Sequence, residues 1–165
     1  MEDSLWFAVY VKSRSEKKVY QALLKQEIES FLPLQKRLKQ WSDRKKWIEE
    51  PLIRSYLFVK ITSIDYYNVL NTSGVVRYVT FLNKAVSIPE WQIEILKKAV
   101  SLNIESEVTN EKMQPGDQVD VVGGPFKGVQ GHLVDYSGKK MLLIEISHIG
   151  HSLLLKIPPD LIKLK

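Results

Sequence analysis

The chain contains no cysteine. That excludes a disulfide framework, a thiol nucleophile and any zinc site built on thiolates, and three scattered histidines do not replace one. No apolar run approaches the roughly 18 residues needed to cross a bilayer, and Glu2 and Asp3 stand where an export signal would be basic. A cytoplasmic protein without membrane association is expected. Catalytic constellations are missing too. His148 and His151 flank a turn with no carboxylate between them, so a metal pair is not expected, and His132 stands apart. The run Gly123 to Gly128 lacks the Gly-Lys-Ser/Thr ending and the following helix of a phosphate loop, and no Ser, Asp or Glu is paired with a base. A binding protein without metal or cofactor, not an enzyme, is the reading.

What is present is an ordinary globular composition, 44% hydrophobic and 26% charged over 165 residues. The net charge of +5 is unevenly shared: residues 1–101 hold 17 Lys and Arg against 11 Asp and Glu, and residues 102–165 hold 7 against 8. The excess of positive charge in the first part suits a domain that meets nucleic acid, joined to one that need not. Six of the eight glycines fall between Gln114 and Lys140, among short β-branched runs, as in a small closed barrel.

Taken in order, Leu5 to Val11 is apolar at nearly every position and predicts a central strand covered on both faces. A helix follows, with Ser15 as its cap, Glu16 in its first turn, and Val19, Tyr20, Leu23, Leu24 and Ile28 on a buried side. Arg14, Lys18, Gln21 and Lys25 form a stripe on the other side, either a solvated face or a nucleic-acid-facing one. Phe31 to Leu38 and Lys46 to Glu50 read as a strand and its returning partner around a tip at Gln40 to Arg44. Lys36, Arg37, Lys39, Arg44, Lys45 and Lys46 are interleaved there with Trp41 and Trp47. Cations among aromatics both neutralise phosphate and offer stacking surface. The competing reading is a soluble hairpin whose tryptophans pack on the sheet.

Leu52 to Ile61 reads as the next strand, Ile64 to Asn71 as a short helix ended by Gly74, Val75 to Phe81 as a strand, and Pro89 to Ser101 as a closing helix. That order predicts an α+β, ferredoxin-like split βαβ domain over residues 1–101. Residues 102–112 lose all periodicity and read as a linker. Five short strands then follow within residues 113–165, at 118–122, 129–134, 141–146, 153–157 and 161–164, the scale of a five-stranded β-barrel.

The Pro115-Gly116-Asp117 run, with Val119, Val121, Gly124-Pro125-Phe126, Gly128 and Gly131, resembles the KOW motif, an SH3-like barrel that ends NusG-type transcription elongation and antitermination factors. The first part is similar to their NGN domain at Trp6-Phe7, at Glu50-Pro51-Leu52 leading into Tyr56-Leu57-Phe58-Val59, and at Gly74-Val75 before Tyr78-Val79. Arg54-Ser55-Tyr56-Leu57 departs from the Pro-Gly-Tyr-Val of the general factor, and so resembles the specialised RfaH, UpxY and LoaP type.

The resemblance implies a monomer that binds the clamp helices of the RNA polymerase β′ subunit through an apolar concavity at Ile53, Tyr56 and Phe58, rimmed by Phe81, Ile93 and Leu96. For each of these, core packing is the competing reading, and if the concavity is exposed, Ile53→Glu weakens binding in a folded chain. It implies contact with the non-template DNA strand through Lys12, Arg14, Lys18, Gln21, Lys25, Thr72 and Ser73. It further implies docking of NusE of the ribosome, or of the termination factor Rho, on Phe126, His148, Ile149 and Gly150. In one type the barrel refolds into a helical hairpin, which Gly128, Gly131, Gly150 and the surrounding valines disfavour here.

Two other classes fit parts of the chain. Arg54, Tyr56, Phe58 and Val59 match the RNA-stacking strand of a stand-alone RRM-like module, with Ser55, Leu57 and Ile61 as departures. A ribosome-associated KOW protein would account for the barrel alone.

Overall fold

The computed structural model describes residues 2–111 and 116–165. By internal contacts the chain divides into two compact units, Met1–Ile93 and Glu94–Lys165.

In the first unit, β1 (Leu5–Val11) runs into helix α1 (Glu16–Lys25), β2 (Glu29–Phe31), the ribbon β3 (Leu34–Gln40) and β4 (Lys45–Pro51), and β5 (Tyr56–Ile61). A 3-10 turn and α2 (Tyr66–Leu70) lead to β6 (Val75–Tyr78), the small hairpin β7 (Thr80–Phe81) and β8 (Lys84–Ala85), and β9 (Ser87–Ile88). Helix α3 (Glu90–Ser101) spans the division between the units. The sheet order is β2-β5-β1-β6, with β9 beside β1 at Trp6 and Phe7, and every pairing is antiparallel. β1 is therefore flanked on both edges, which is why its sequence is apolar almost throughout. Val9, Val11, Leu57 and Val59 join Val19, Leu23, Ile28 and Val69 in one buried cluster on the helix-covered face.

Three boundaries differ from the sequence reading. The run from Phe31 to Leu38 is two strands, because buried Pro33, with no N–H to pair, ends β2 and starts a separate ribbon. Pro33 O instead accepts from Leu52 N–H at 2.8 Å, closing the base of the excursion. The strand expected from Leu52 begins only at Tyr56, after a turn in which Ser55 takes φ 65. Val75 to Phe81 is likewise divided between β6 and β7.

The second unit adds β10 (Ser106–Thr109), β11 (Gln118–Val121), β12 (Gln130–Tyr136), β13 (Lys139–Ile146), β14 (His151–Leu155) and β15 (Ile162–Leu164). They form one six-stranded sheet ordered β10-β14-β13-β12-β11-β15. Strand β10 corrects both the linker at 102–112 and the count of five strands. Ser106 and Thr109 turn inward, and Ser106 to Thr109 pairs in register with Leu155 to Ser152. Glu105 fixes the approach to that strand through ion pairs with Lys139 and Lys156. Lys112 to Pro115, which include the first residue of the Pro-Gly-Asp run, lie outside the described residues. Gly131 sits where two backbones press together: a Cβ there would lie 2.6 Å from Leu143 O.

Tyr78 ties β6 to α2. Its ring is buried, stacks on Tyr66 at 4.4 Å and meets Phe7 edge-on at 6.1 Å, while its hydroxyl donates to Tyr66 O at 2.8 Å. Burial first, then the neighbouring Tyr66 and Asp65, push the phenol above its ordinary value. Tyr78→Phe is expected to lower unfolding stability by about 1 kcal/mol in urea melts. A raised folded pKa means that this stability is fully present below the ordinary tyrosine value and is lost as pH climbs past it. Alkaline titration of stability should therefore be shallower in the variant.

Candidate nucleic-acid interface

Helix α1 is built at the end of β1, and the loop between them sets its direction. Arg14 adopts φ 64, and its N–H donates at 2.9 Å to the carboxylate of Glu16, which is itself buried. Ser15 occupies the cap position but makes no side-chain cap bond, against the sequence reading, and the Glu16 carboxylate instead closes the loop that enters the helix. Val19 and Leu23 are fully buried beneath the helix, whereas Leu24, expected inside, is 42% exposed.

The outer face carries the stripe. Lys17, Lys18, Gln21, Ala22 and Lys25 line a shallow depression of about 400 Å³. Three of the residues expected to meet nucleic acid, Lys18, Gln21 and Lys25, are therefore brought together on one exposed face. Lys17 joins them; its place four before Gln21 and eight before Lys25 made it legible, but the stripe read from the sequence passed through Lys18. Lys17 Nζ also donates to Glu49 O at 2.9 Å, linking the helix to β4.

Lys12 and Arg14 are exposed at the helix entrance, and Lys12 N–H donates to Gly74 O at 2.9 Å. Gly74 takes φ +95, and a Cβ there would lie 2.7 Å from Val19 Cγ2, so only glycine lets the turn after α2 come this close to α1. Ser73 is exposed on that turn. Thr72 is not available to a ligand: it is buried, donates to Asn68 O at 2.7 Å and accepts from Gln26 Nε2 at 2.9 Å. It closes the end of α2, as a hydroxyl at such a position readily does.

The expected apolar concavity is largely core. In the first unit Ile53, Phe58 and Ile93 are each at most 1% exposed, and Phe58 stacks against Phe31 at 6.3 Å. Leu96, in the second unit, is fully buried. Alternation explains the error: a run of apolar residues looks the same whether it faces a partner or its own core. Tyr56 and Phe81 do reach the surface. Tyr56 is half-buried and meets Tyr10 edge-on at 5.5 Å, with the Arg77 guanidinium 5.5 Å from the Tyr10 ring; Phe81 is exposed in β7.

In the second unit Phe126 and Ile149 are buried, against the expectation of an exposed Ile149. The short turn between β13 and β14 takes its bend at His148, φ 68, and Gly150, both exposed, and folds the apolar side chain between them inward. His151 Nδ1 lies 2.8 Å from Ile149 O.

Full burial of Phe58 also removes one of the two stacking aromatics that an RRM-like sheet requires, so that reading loses its platform. These features define a two-unit α+β protein with a cationic helix face on the first unit. The family model described as "Transcription termination factor nusG" matches residues 4–97. The chain belongs to the NusG family of transcription termination and antitermination factors. Among its relatives are the transcription termination/antitermination proteins NusG of Streptococcus pyogenes serotypes M3 and M1, each 26% identical over 155 residues and matched over 86% of both chains. The fold is similar to that of Thermotoga maritima NusG, in a structure concerned with domain interaction, at a TM-score of 0.57 and 17% identity, over 97% of this chain and 96% of the other.

Ile53→Glu would place a carboxylate in a dry site. It is expected to cost about 3 kcal/mol of stability in denaturant melts, so any binding loss in this variant must be read against unfolding.

Proposed function

We propose that this protein is a transcription elongation and antitermination regulator that acts by binding, without catalysis and without a cofactor. Its first unit, with helix α3, serves as an NGN domain of ferredoxin-like split βαβ type over residues 1–101. The order β2-β5-β1-β6 supports that reading. Residues 113–165 serve as an SH3-like KOW barrel, with β10 contributed by the connecting stretch.

The observation that carries the proposal is the exposed cationic face of α1, formed by Lys17, Lys18, Gln21 and Lys25 in a chain of this family. A polymerase-bound factor uses such a face to hold the displaced non-template DNA strand. Lys18 and Lys25 neutralise phosphates, while Gln21 and Lys12 offer hydrogen bonds to unstacked bases. In this reading Tyr56 and Phe81, the side chains of the expected apolar patch that reach the surface, meet the β′ clamp helices, while Ile53, Phe58 and Ile93 are buried in the same unit. Holding the clamp and the strand together disfavours opening, and pausing falls. The exposed turn at His148 and Gly150 is the docking point for NusE or Rho in this reading, and Ile149 and Phe126 are buried. The protein acts as a monomer in the cytoplasm, where the polymerase is. Among the described residues no helix is long and apolar enough to cross a membrane.

The test is transcription in vitro with purified polymerase on a pausing template, using the full chain, followed by crosslinking to the non-template strand. Shorter pauses and crosslinks to α1 are expected. Tyr56→Ala should weaken polymerase binding in a chain that remains folded. Lys18→Gln with Lys25→Gln should lower the slope of log affinity for single-stranded DNA against log salt by about 1.4, at about 0.7 for each phosphate contact. Unchanged pausing with no association with polymerase would overturn the reading.

A further inference from the structure

The ribbon of β3 and β4 leaves the main sheet and forms a two-stranded sheet of its own. Its register sorts the side chains onto two faces. Lys36, Leu38 and Gln40 lie opposite Glu49, Trp47 and Lys45, while Gln35, Arg37 and Lys39 lie opposite Glu50, Ile48 and Lys46. On the second face Glu50 ties down Arg37 at 3.4 Å and Lys39 at 3.6 Å, and no aromatic side chain lies beside them. The first face is different. Leu38 and Trp47 form a cross-strand pair, 49% and 66% exposed, with Lys36 to one side and Lys45 to the other. Among the described residues no ion pair engages either lysine. At the tip Trp41 is exposed, and the Arg44 guanidinium lies 5.7 Å from its ring centre.

A two-stranded ribbon has no core to hide such a pair, and an exposed tryptophan there gains no more for folding than the small worth of one cross-strand contact. The ribbon is nevertheless held in place at its base by Leu52 N–H on Pro33 O and by Lys17 on Glu49 O. Aromatic surface framed by unpaired cations matches one ligand chemistry: bases that stack and phosphates that need neutralising. Residues 34–51 carry six Lys and Arg against three acids, so the charge complements a polyanion. The exposed Glu49 carboxylate, on the same face as Trp47, can only repel phosphate, but it accepts a hydrogen bond from a ribose 2′-hydroxyl.

We infer that this face is a second nucleic-acid site, separate from the α1 surface, that binds single-stranded RNA by stacking bases on Trp47 and Trp41 while Lys36, Lys45 and Arg44 contact the backbone. Binding here does not require polymerase, so this inference stands or falls apart from the proposed function.

The experiment titrates the full chain with a fluorescently labelled single-stranded RNA of mixed sequence and with DNA of the same sequence, following anisotropy and tryptophan emission. RNA should bind more tightly than DNA and quench tryptophan. Trp47→Ala and Trp41→Ala should each lower RNA affinity by about tenfold, within the usual worth of one stacked base, while Trp47→Phe retains most of it. Lys36→Gln with Lys45→Gln should reduce the salt slope by about 1.4. In a chain that also carries Lys18→Gln and Lys25→Gln, which removes the phosphate contacts of the α1 face, RNA should still bind and Trp47→Ala should still lower its affinity. All the substituted side chains are exposed, so circular dichroism is expected to be unchanged. The inference is overturned if RNA does not bind, if folded Trp47→Ala binds as the parent does, or if DNA binds as well as RNA. It also fails if Trp47→Ala has no effect in the chain with the α1 substitutions, or if polyglutamate displaces RNA equally from parent and Trp47→Ala chains.

Discussion

Backbone pairing on both edges of β1 is the constraint on which the first unit depends. With β5 on one side and β6 on the other, every residue from Leu5 to Val11 is committed to one face or the other of a sheet, and α1 must pack where Val9 and Val11 point. That fixes the azimuth of the helix. Because Val19 and Leu23 face inward, Lys18, Gln21 and Lys25 have no place but outside, and the cationic depression follows from core packing on the opposite side of the same helix. Gly74 completes the arrangement by letting the turn after α2 approach Val19 more closely than any side chain would allow.

The two proposed nucleic-acid surfaces arise by different routes. The α1 face is the unburied side of an amphipathic helix, and its charges do no more than solvation requires until a ligand arrives. The ribbon of β3 and β4 buries little, so its sequence is not explained by folding, and the excess of exposed aromatic and basic side chains calls for another cause. Lys17, lining the α1 depression while holding Glu49 O, joins the two elements physically.

Much of the architecture was legible. β1, α1, the basic ribbon with its tip, α3 and five strands of the second unit can be read from periodicity and from turn residues, and the family from the Gly-Pro-Phe and Tyr-Leu-Phe-Val runs. Strand β10 was not, since Ser-Glu-Val-Thr carries too little apolar character to stand out until its partner β14 supplies the hydrogen bonds. The site was half legible. Charged positions on α1 were found because lysine is seldom buried, whereas Ile149, expected at the surface, is inside, and at Ile53 and Phe58 the competing reading of core packing is the one that holds.

By itself, then, the sequence determined the element types, the polarity of each helix face and the uneven distribution of charge, because these follow from short-range periodicity and from side-chain chemistry. Only the tertiary structure decided which apolar residues remain available to a partner, that Thr72 is spent on capping α2, and that β10 joins the second sheet. Burial and strand pairing depend on neighbours distant in the chain, and local pattern carries no record of them.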